Sequence, residues 1–145
     1  MSADDGRVTK TSGAADDDRC PCLSGETYGG CCGRFHRGDA DAPTAEALMR
    51  SRYTAFALGN LPYLLHSWHP DTRPGTLELD AAMQWRRLDI VRTVRGGPLD
   101  VEGIVEFRAF YRQEGAAGVL QESSRFVRQD GRWVYLDAEQ VDLGF

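Results

Sequence analysis

Residues 101–141, VEGIVEFRAFYRQEGAAGVLQESSRFVRQDGRWVYLDAEQV, decide the fold. Apolar-rich runs in this stretch are separated by EGAA at 114–117 and DG at 130–131. In the first run Val101, Val105, Phe107, Ala109 and Tyr111 fall on one face, while Glu102, Glu106 and Arg108 share the other with Ile104 and Phe110. A period of two belongs to a pleated strand with one packed face and one partly wet face. The expected strands are 101–113, 118–129 and 132–141, preceded by Gln84 to Arg95 and the turn RGGPLD. Four antiparallel strands joined by three hairpins follow from this pattern.

Upstream the period changes. In TAEALMRSRYTAFALG, Thr44 is placed to cap a helix, Glu46 puts acid in its first turn, and Gly59 supplies the left-handed stop. LPYLLHSWH follows as a second, shorter helix opened by Pro62 and stopped at His69-Pro70. PGTLELDAAM, 74–83, fits neither period. Helices gathered first and a meander of strands second predict an α+β domain over 44–145, with helices packed on one face of a curved antiparallel sheet.

The amino-terminal 18 residues carry five aspartates against Arg7 and Lys10 and have no periodicity, so they are expected as a disordered acidic tail. They show no apolar core followed by a small-residue cleavage site, which predicts a cytoplasmic protein. The 145 residues, 41% hydrophobic and 27% charged, carry a formal net charge of −5. That balance argues against a phosphate backbone as partner, and the apolar runs are too short for a membrane span. Residues 37–43, RGDADAP, read as a polar linker.

All four cysteines, Cys20, Cys22, Cys31 and Cys32, lie within residues 19–36 in the pattern C-x-C-x8-C-C. Reduced thiols at this spacing favour one closed structural zinc site, with redox thiols and an iron–sulfur centre as the alternatives. A segment this short has no core of its own, so metal binding would supply its folding energy. The stretch Cys20-Pro21-Cys22-Leu23-Ser24-Gly25, Tyr28 and Cys31-Cys32-Gly33 resembles the SEC-C motif, whose pattern is CPCGSGxxYxxCCG. It departs at Leu23, where the pattern has glycine, and at Glu26, Thr27, Gly29 and Gly30, where many members carry lysine. The resemblance implies one Zn2+ per chain.

LMRSRYTAFALGNLPYLLHSWHP (48–70) together with ESSRFVRQDGRWVYLDA (122–138) resembles the bacterial YchJ family, in which a SEC-C motif precedes a nuclear-transport-factor-2-like domain. The implied fold is a cone, with helices closing a bent sheet around a cavity. Members of that wider fold include enzymes and non-catalytic binding modules, so fold does not decide function.

Candidate cavity residues come from the helix pattern. Ala45, Leu48, Met49, Ala55 and Phe56 form an apolar stripe, and Arg52 falls near its centre. A buried guanidinium needs a partner; Glu122 is the first candidate and Asp137 the second, unless the arginine reaches solvent at the domain edge. Trp85 is expected in the core or cavity wall, and His69, three residues after His66, could act as acid or base. Two functions are expected from these residues. One is a non-enzymatic zinc-containing module whose knuckle contacts a protein or RNA partner and whose cone binds a peptide or small ligand. The alternative is acid–base catalysis on a small apolar substrate by Arg52, Glu122 and His69.

Overall fold

A computed structural model of the chain describes residues 14–140, so residues 1–13 of the expected tail lie outside the described residues. Three helices come first: α1 (Cys32–His36), α2 (Ala45–Leu58) and α3 (Leu61–His66). Four strands follow, β1 (Met83–Arg95), β2 (Glu102–Gln113), β3 (Ala116–Gln129) and β4 (Arg132–Gln140). They form one antiparallel sheet in the order β1-β2-β3-β4. Among the described residues no helix is long and apolar enough to cross a membrane.

The local signals act as their chemistry requires. Thr44 is extended, and its hydroxyl accepts from the Ala47 N–H at 3.0 Å, satisfying a donor that the first turn leaves unpaired. Gly59 ends α2 in the left-handed region at φ 72°. Asn60 then caps α3 by accepting from the Tyr63 N–H. Past α3 the chain runs beside β4: Tyr135 donates to the Ser67 carbonyl at 2.8 Å, and His69 donates to the Tyr135 carbonyl at 2.7 Å. The ambiguous stretch 74–83 is irregular until β1 begins at Met83.

Curvature comes from bulges. Between Trp85 and Arg87, and again between Ile90 and Arg92, β1 gains one residue on β2, and β4 gains Leu136 on β3. Each extra residue bends and twists its strand, and the sheet curls around α2. On β2 the residues Val105, Phe107 and Ala109 are buried, so the inward face is the one expected from alternation. Leu48, Met49 and Tyr53 of α2 meet them, with Phe126, Trp133 and Val134 completing the core. Trp133 is only 2% exposed and donates its indole N–H to the Pro43 carbonyl at 3.2 Å.

That bond bears on residues 37–43, the expected linker. Ala42 is buried, Ala40 packs against the core, and Asp39 and Ala40 donate to the Arg34 carbonyl. Polar side chains on this stretch face water while its backbone and alanines are fixed. Asp16 and Asp18 likewise hold the cysteine segment through their carbonyls, which accept from Gly29 and Tyr28.

The base of the β1–β2 hairpin touches the start of α2 at van der Waals limits. The Ala45 N–H donates to the Gly96 carbonyl at 2.9 Å. A Cβ on Gly103 would lie 2.5 Å from Gly96 Cα and 2.8 Å from Gly96 N, both backbone atoms that cannot swing aside. Gly103→Ala should therefore cost about 1–3 kcal/mol of stability, read as a lower urea midpoint at unchanged slope, although alanine is the less costly residue to order. An unchanged or raised midpoint would show that the hairpin base is not close-packed.

Candidate functional site

Two sites lie on opposite faces of α2. Arg50, Ser51 and Thr54 face the cysteine segment; Met49, Arg52, Tyr53 and Phe56 face a cavity inside the curved sheet.

The cysteine segment is two tight turns set against each other. In the first, Leu23 donates to the Cys20 carbonyl at 3.0 Å and Cys20 donates to the Glu26 carbonyl. In the second, Cys31 and Gly33 both donate to the Tyr28 carbonyl as α1 begins. Gly33 has to be glycine, since a Cβ there would sit 2.7 Å from that carbonyl oxygen. The four sulfurs of Cys20, Cys22, Cys31 and Cys32 lie within 4.8 Å of one another and none is in a disulfide. Cys22 Sγ is 3.7 Å from Cys31 Sγ, and Cys31 Sγ is 4.0 Å from Cys32 Sγ. Tetrahedral zinc with bonds of about 2.3 Å demands sulfur–sulfur edges of about 3.8 Å, so the donor set fits that ion.

Its surroundings also suit a metal. Ser24 Oγ lies 3.2 Å from Cys31 Sγ, and Thr54 Oγ1 lies 3.8 Å from Cys20 Sγ. Arg50 donates to the Cys22 carbonyl at 2.9 Å, bringing positive charge beside a cluster that four thiolates and Zn2+ would leave at −2. Hydrogen bonds from Cys20 and Cys32 pull the Cys22 thiol down, while burial pushes Cys31 up to about 11. One buried thiolate forms readily, and a cation is what would let its neighbours ionise with it.

His36 ties this segment to α2. Its Nε2 lies 2.8 Å from the Ser51 carbonyl, which can only accept, so Nε2 carries the proton and Nδ1 accepts from the Tyr28 hydroxyl at 2.7 Å. Burial lowers the His36 pKa, consistent with a neutral ring. Tyr63, which donates to Ser51 Oγ, packs its ring 4.5 Å from that of His36. Sequence reasoning missed His36; the signal was its position four residues after Cys32, on the same face of a helix. These contacts dock the cysteine segment on α2 and α3.

The cavity, of about 240 Å3, has a mostly apolar wall that includes Trp85, Phe56 and Leu120. Arg52 is on it and only 3% exposed, but not paired as expected. Among the described residues it forms no ion pair with Glu122 or Asp137. Its Nη1 donates to the Leu64 carbonyl at 2.9 Å and to Ser67 Oγ at 2.7 Å. Its guanidinium carbon lies 4.9 Å from the Trp68 ring centroid and 4.5 Å from that of Tyr135. Two charge-assisted hydrogen bonds and two cation–π contacts therefore replace the carboxylate. Burial lowers its pKa to about 10, which still leaves it charged at neutral pH.

Glu122 does line the cavity, and burial pushes its pKa up. Asp137 does not. Its carboxylate is bound by Arg125 through two hydrogen bonds of 2.7 and 2.6 Å on the outer face of the sheet. The Leu136 bulge is the reason: without it Asp137 would share the inward face of Tyr135, and the extra residue turns it outward. His69 also lies away from the cavity lining, its Nδ1 accepting from the Asp71 N–H at 3.0 Å. Ser67, Trp68 and Tyr135, which hold Arg52, were not foreseen as its partners.

With this geometry in place, the comparisons place the chain among known proteins. A family model described as YchJ, middle NTF2-like domain, matches residues 44–138. The chain belongs to the YchJ family. A UPF0225 protein of Corynebacterium glutamicum is 57% identical over 117 residues, covering 81% of this chain and 93% of that protein. Another, from Streptomyces coelicolor, is 55% identical over 123 residues, covering 85% and 96%. The solution structure of a SEC-C motif containing protein from Rhodopseudomonas palustris superposes with a TM-score of 0.74 at 32% identity, over 85% of this chain and 98% of that one. A crystal structure of a SEC-C motif containing protein from Psychrobacter arcticus gives 0.70 at 26% identity, over 90% and 86%. The fold is thus the nuclear-transport-factor-2-like cone expected from the sequence, preceded by the cysteine knuckle.

Leu23, where the SEC-C pattern has glycine, is in the left-handed region at φ 62°. That conformation costs a non-glycine residue about 1–2 kcal/mol, partly offset by the greater ordering entropy of glycine. Leu23→Gly should therefore tighten zinc binding about fivefold and Leu23→Val should weaken it, as read by competition with a chromophoric chelator. The opposite order would mean that the first turn does not limit metal affinity.

Proposed function

We propose that the protein is a non-enzymatic, zinc-stabilised binding module of the cytoplasm, whose cone holds a small ligand and whose knuckle contacts a protein partner. The observation that carries this reading is the cavity: a mostly apolar wall with few polar groups, the composition of a ligand pocket. Zinc at Cys20, Cys22, Cys31 and Cys32 serves structure in this proposal, because four protein sulfurs close its coordination shell. The partner surface is the outer edge of the knuckle, where residues 23–27 are exposed and Leu23 presents 45% of its surface.

Catalysis is the second reading, and Glu122 is the observation in its favour, a carboxyl group whose proton affinity is raised by burial. With His69 and Asp137 facing elsewhere, Glu122 is the one carboxylate lining the cavity among the described residues. A single carboxylate with no hydrogen-bonded base beside it suits ligand recognition better than proton shuttling.

The test is a small-molecule fragment screen read by the indole NMR signals of Trp68 and Trp85. Fragments should shift these signals, be recovered chemically unchanged, and lose binding when Ala109→Trp fills the cavity of a protein that still folds. Fragments recovered as a new compound would favour catalysis, and binding unaffected by the filled cavity would remove the cone from the account. For the partner, a photo-crosslinking residue in place of Leu23 should give one discrete protein adduct in cells, lost with Cys20→Ser. Absence of such an adduct contradicts that arm.

A further inference from the structure

The charges of the cavity restrict its ligand more closely than its shape does. Arg52 and Glu122 are the only formally charged residues of its lining among the described residues, one of each sign. Arg52 lies over the Tyr135 ring, which lines the same cavity as Glu122, and burial and Glu122 raise the Tyr135 pKa while Arg52 lowers it. Yet they do not pair with each other. Arg52 uses only Nη1 for its protein hydrogen bonds, so the edge formed by Nε and Nη2 has no acceptor among the described residues. Glu122 has no hydrogen-bond donor among the described residues either, although it is half-buried. The free edge of a guanidinium offers two parallel N–H donors, the geometry that a carboxylate accepts. A half-buried carboxylate with no donor among the described residues is in turn a fitting acceptor for an ammonium or another strong donor.

One molecule can answer both demands. A simple carboxylate would satisfy Arg52 and set a second negative charge near Glu122. A simple amine would satisfy Glu122 and leave the arginine edge bare. An uncharged apolar molecule would fill the space and leave both groups unpaired. A zwitterion keeps the cavity neutral and places an opposite charge at each group. The space amounts to about eight water volumes of roughly 30 Å3 each, which suits a body of the size of leucine. Its apolar part would lie against Met49, Phe56, Trp85 and Leu120.

We propose that the cavity is a binding site for a free apolar α-amino acid, with its carboxylate on the open edge of Arg52, its ammonium on Glu122 and its side chain against the Trp85 wall. This inference rests on the reading of the cone as a ligand site.

The full-length zinc-loaded protein would be titrated with L-leucine, with 4-methylpentanoate, which lacks the amino group, with 3-methylbutylamine, which lacks the carboxylate, and with toluene. Binding would be followed at the Trp85 indole signal. Leucine should bind at least tenfold more tightly than either single-charge analogue. Glu122→Gln should remove the advantage of leucine over 4-methylpentanoate, and Arg52→Met its advantage over the amine, with toluene still binding to both variants. Should Arg52→Met fail to fold, Glu122→Gln alone decides, because it keeps the size of a half-buried side chain. Equal affinity for leucine and either analogue overturns the proposal. If toluene binds and leucine does not, the amino-acid assignment is wrong and the ligand-site reading stands. If none of the four binds, both fall.

Discussion

Helix α2 has no face left to water in its middle turns, and the rest of the structure depends on how its two sides are covered. Along one side run Arg50, Ser51 and Thr54, in contact with the Cys22 carbonyl, His36 and Cys20. The other side carries Met49, Arg52, Tyr53 and Phe56, which close the mouth of the curved sheet. A helix whose buried positions include serine, threonine and arginine is a poor match for a purely apolar groove: Thr54 meets Cys20 of the knuckle, while Ser51 and Arg52 are satisfied by Leu48, Tyr63, Leu64 and Ser67. The knuckle alone is too small to hold a core, and a metal held by its four cysteines would fix it in the shape that covers α2.

The buried arginine shows how the polar interior is kept tolerable. Leu64 lies in the last turns of α3, where carbonyls have no helical partner, and its oxygen is one of the two acceptors for Arg52. Arg52 thus caps a neighbouring helix while lying between the rings of Trp68 and Tyr135. The backbone bonds joining Ser67 and His69 to Tyr135 hold those rings on either side of it. Half of the guanidinium is committed to structure, and in the proposed amino-acid site the other half would serve recognition.

Much of this architecture was legible because it is local. The caps at Thr44 and Gly59, the hairpin turns and the alternation along β2 are written within a few residues of the structures they produce. The cysteine cluster was legible for the same reason, four cysteines within 13 positions. The partners of Arg52 were not, since a backbone carbonyl has no sequence signature and the two aromatic rings are 67 positions apart, at Trp68 and Tyr135. Asp137 was placed on the wrong face because regular alternation predicts it inward, and a bulge at Leu136 leaves no mark in composition. Residues 37–43 look like a linker since their side chains are polar, whereas what ties them down is a tryptophan from β4 and the carbonyl of Arg34.

With α2 covered in this way, the cysteine cluster and the cavity should behave as two sides of one cooperative unit. Native-state amide hydrogen exchange, recorded residue by residue on the zinc-loaded protein and again after chelation, tests it most directly. Chelation should lower protection at Ser51 to Phe56, on the sheet side as well as the knuckle side, together with the knuckle amides. Fast exchange confined to residues 19–36, with protection of α2 unchanged, would contradict it.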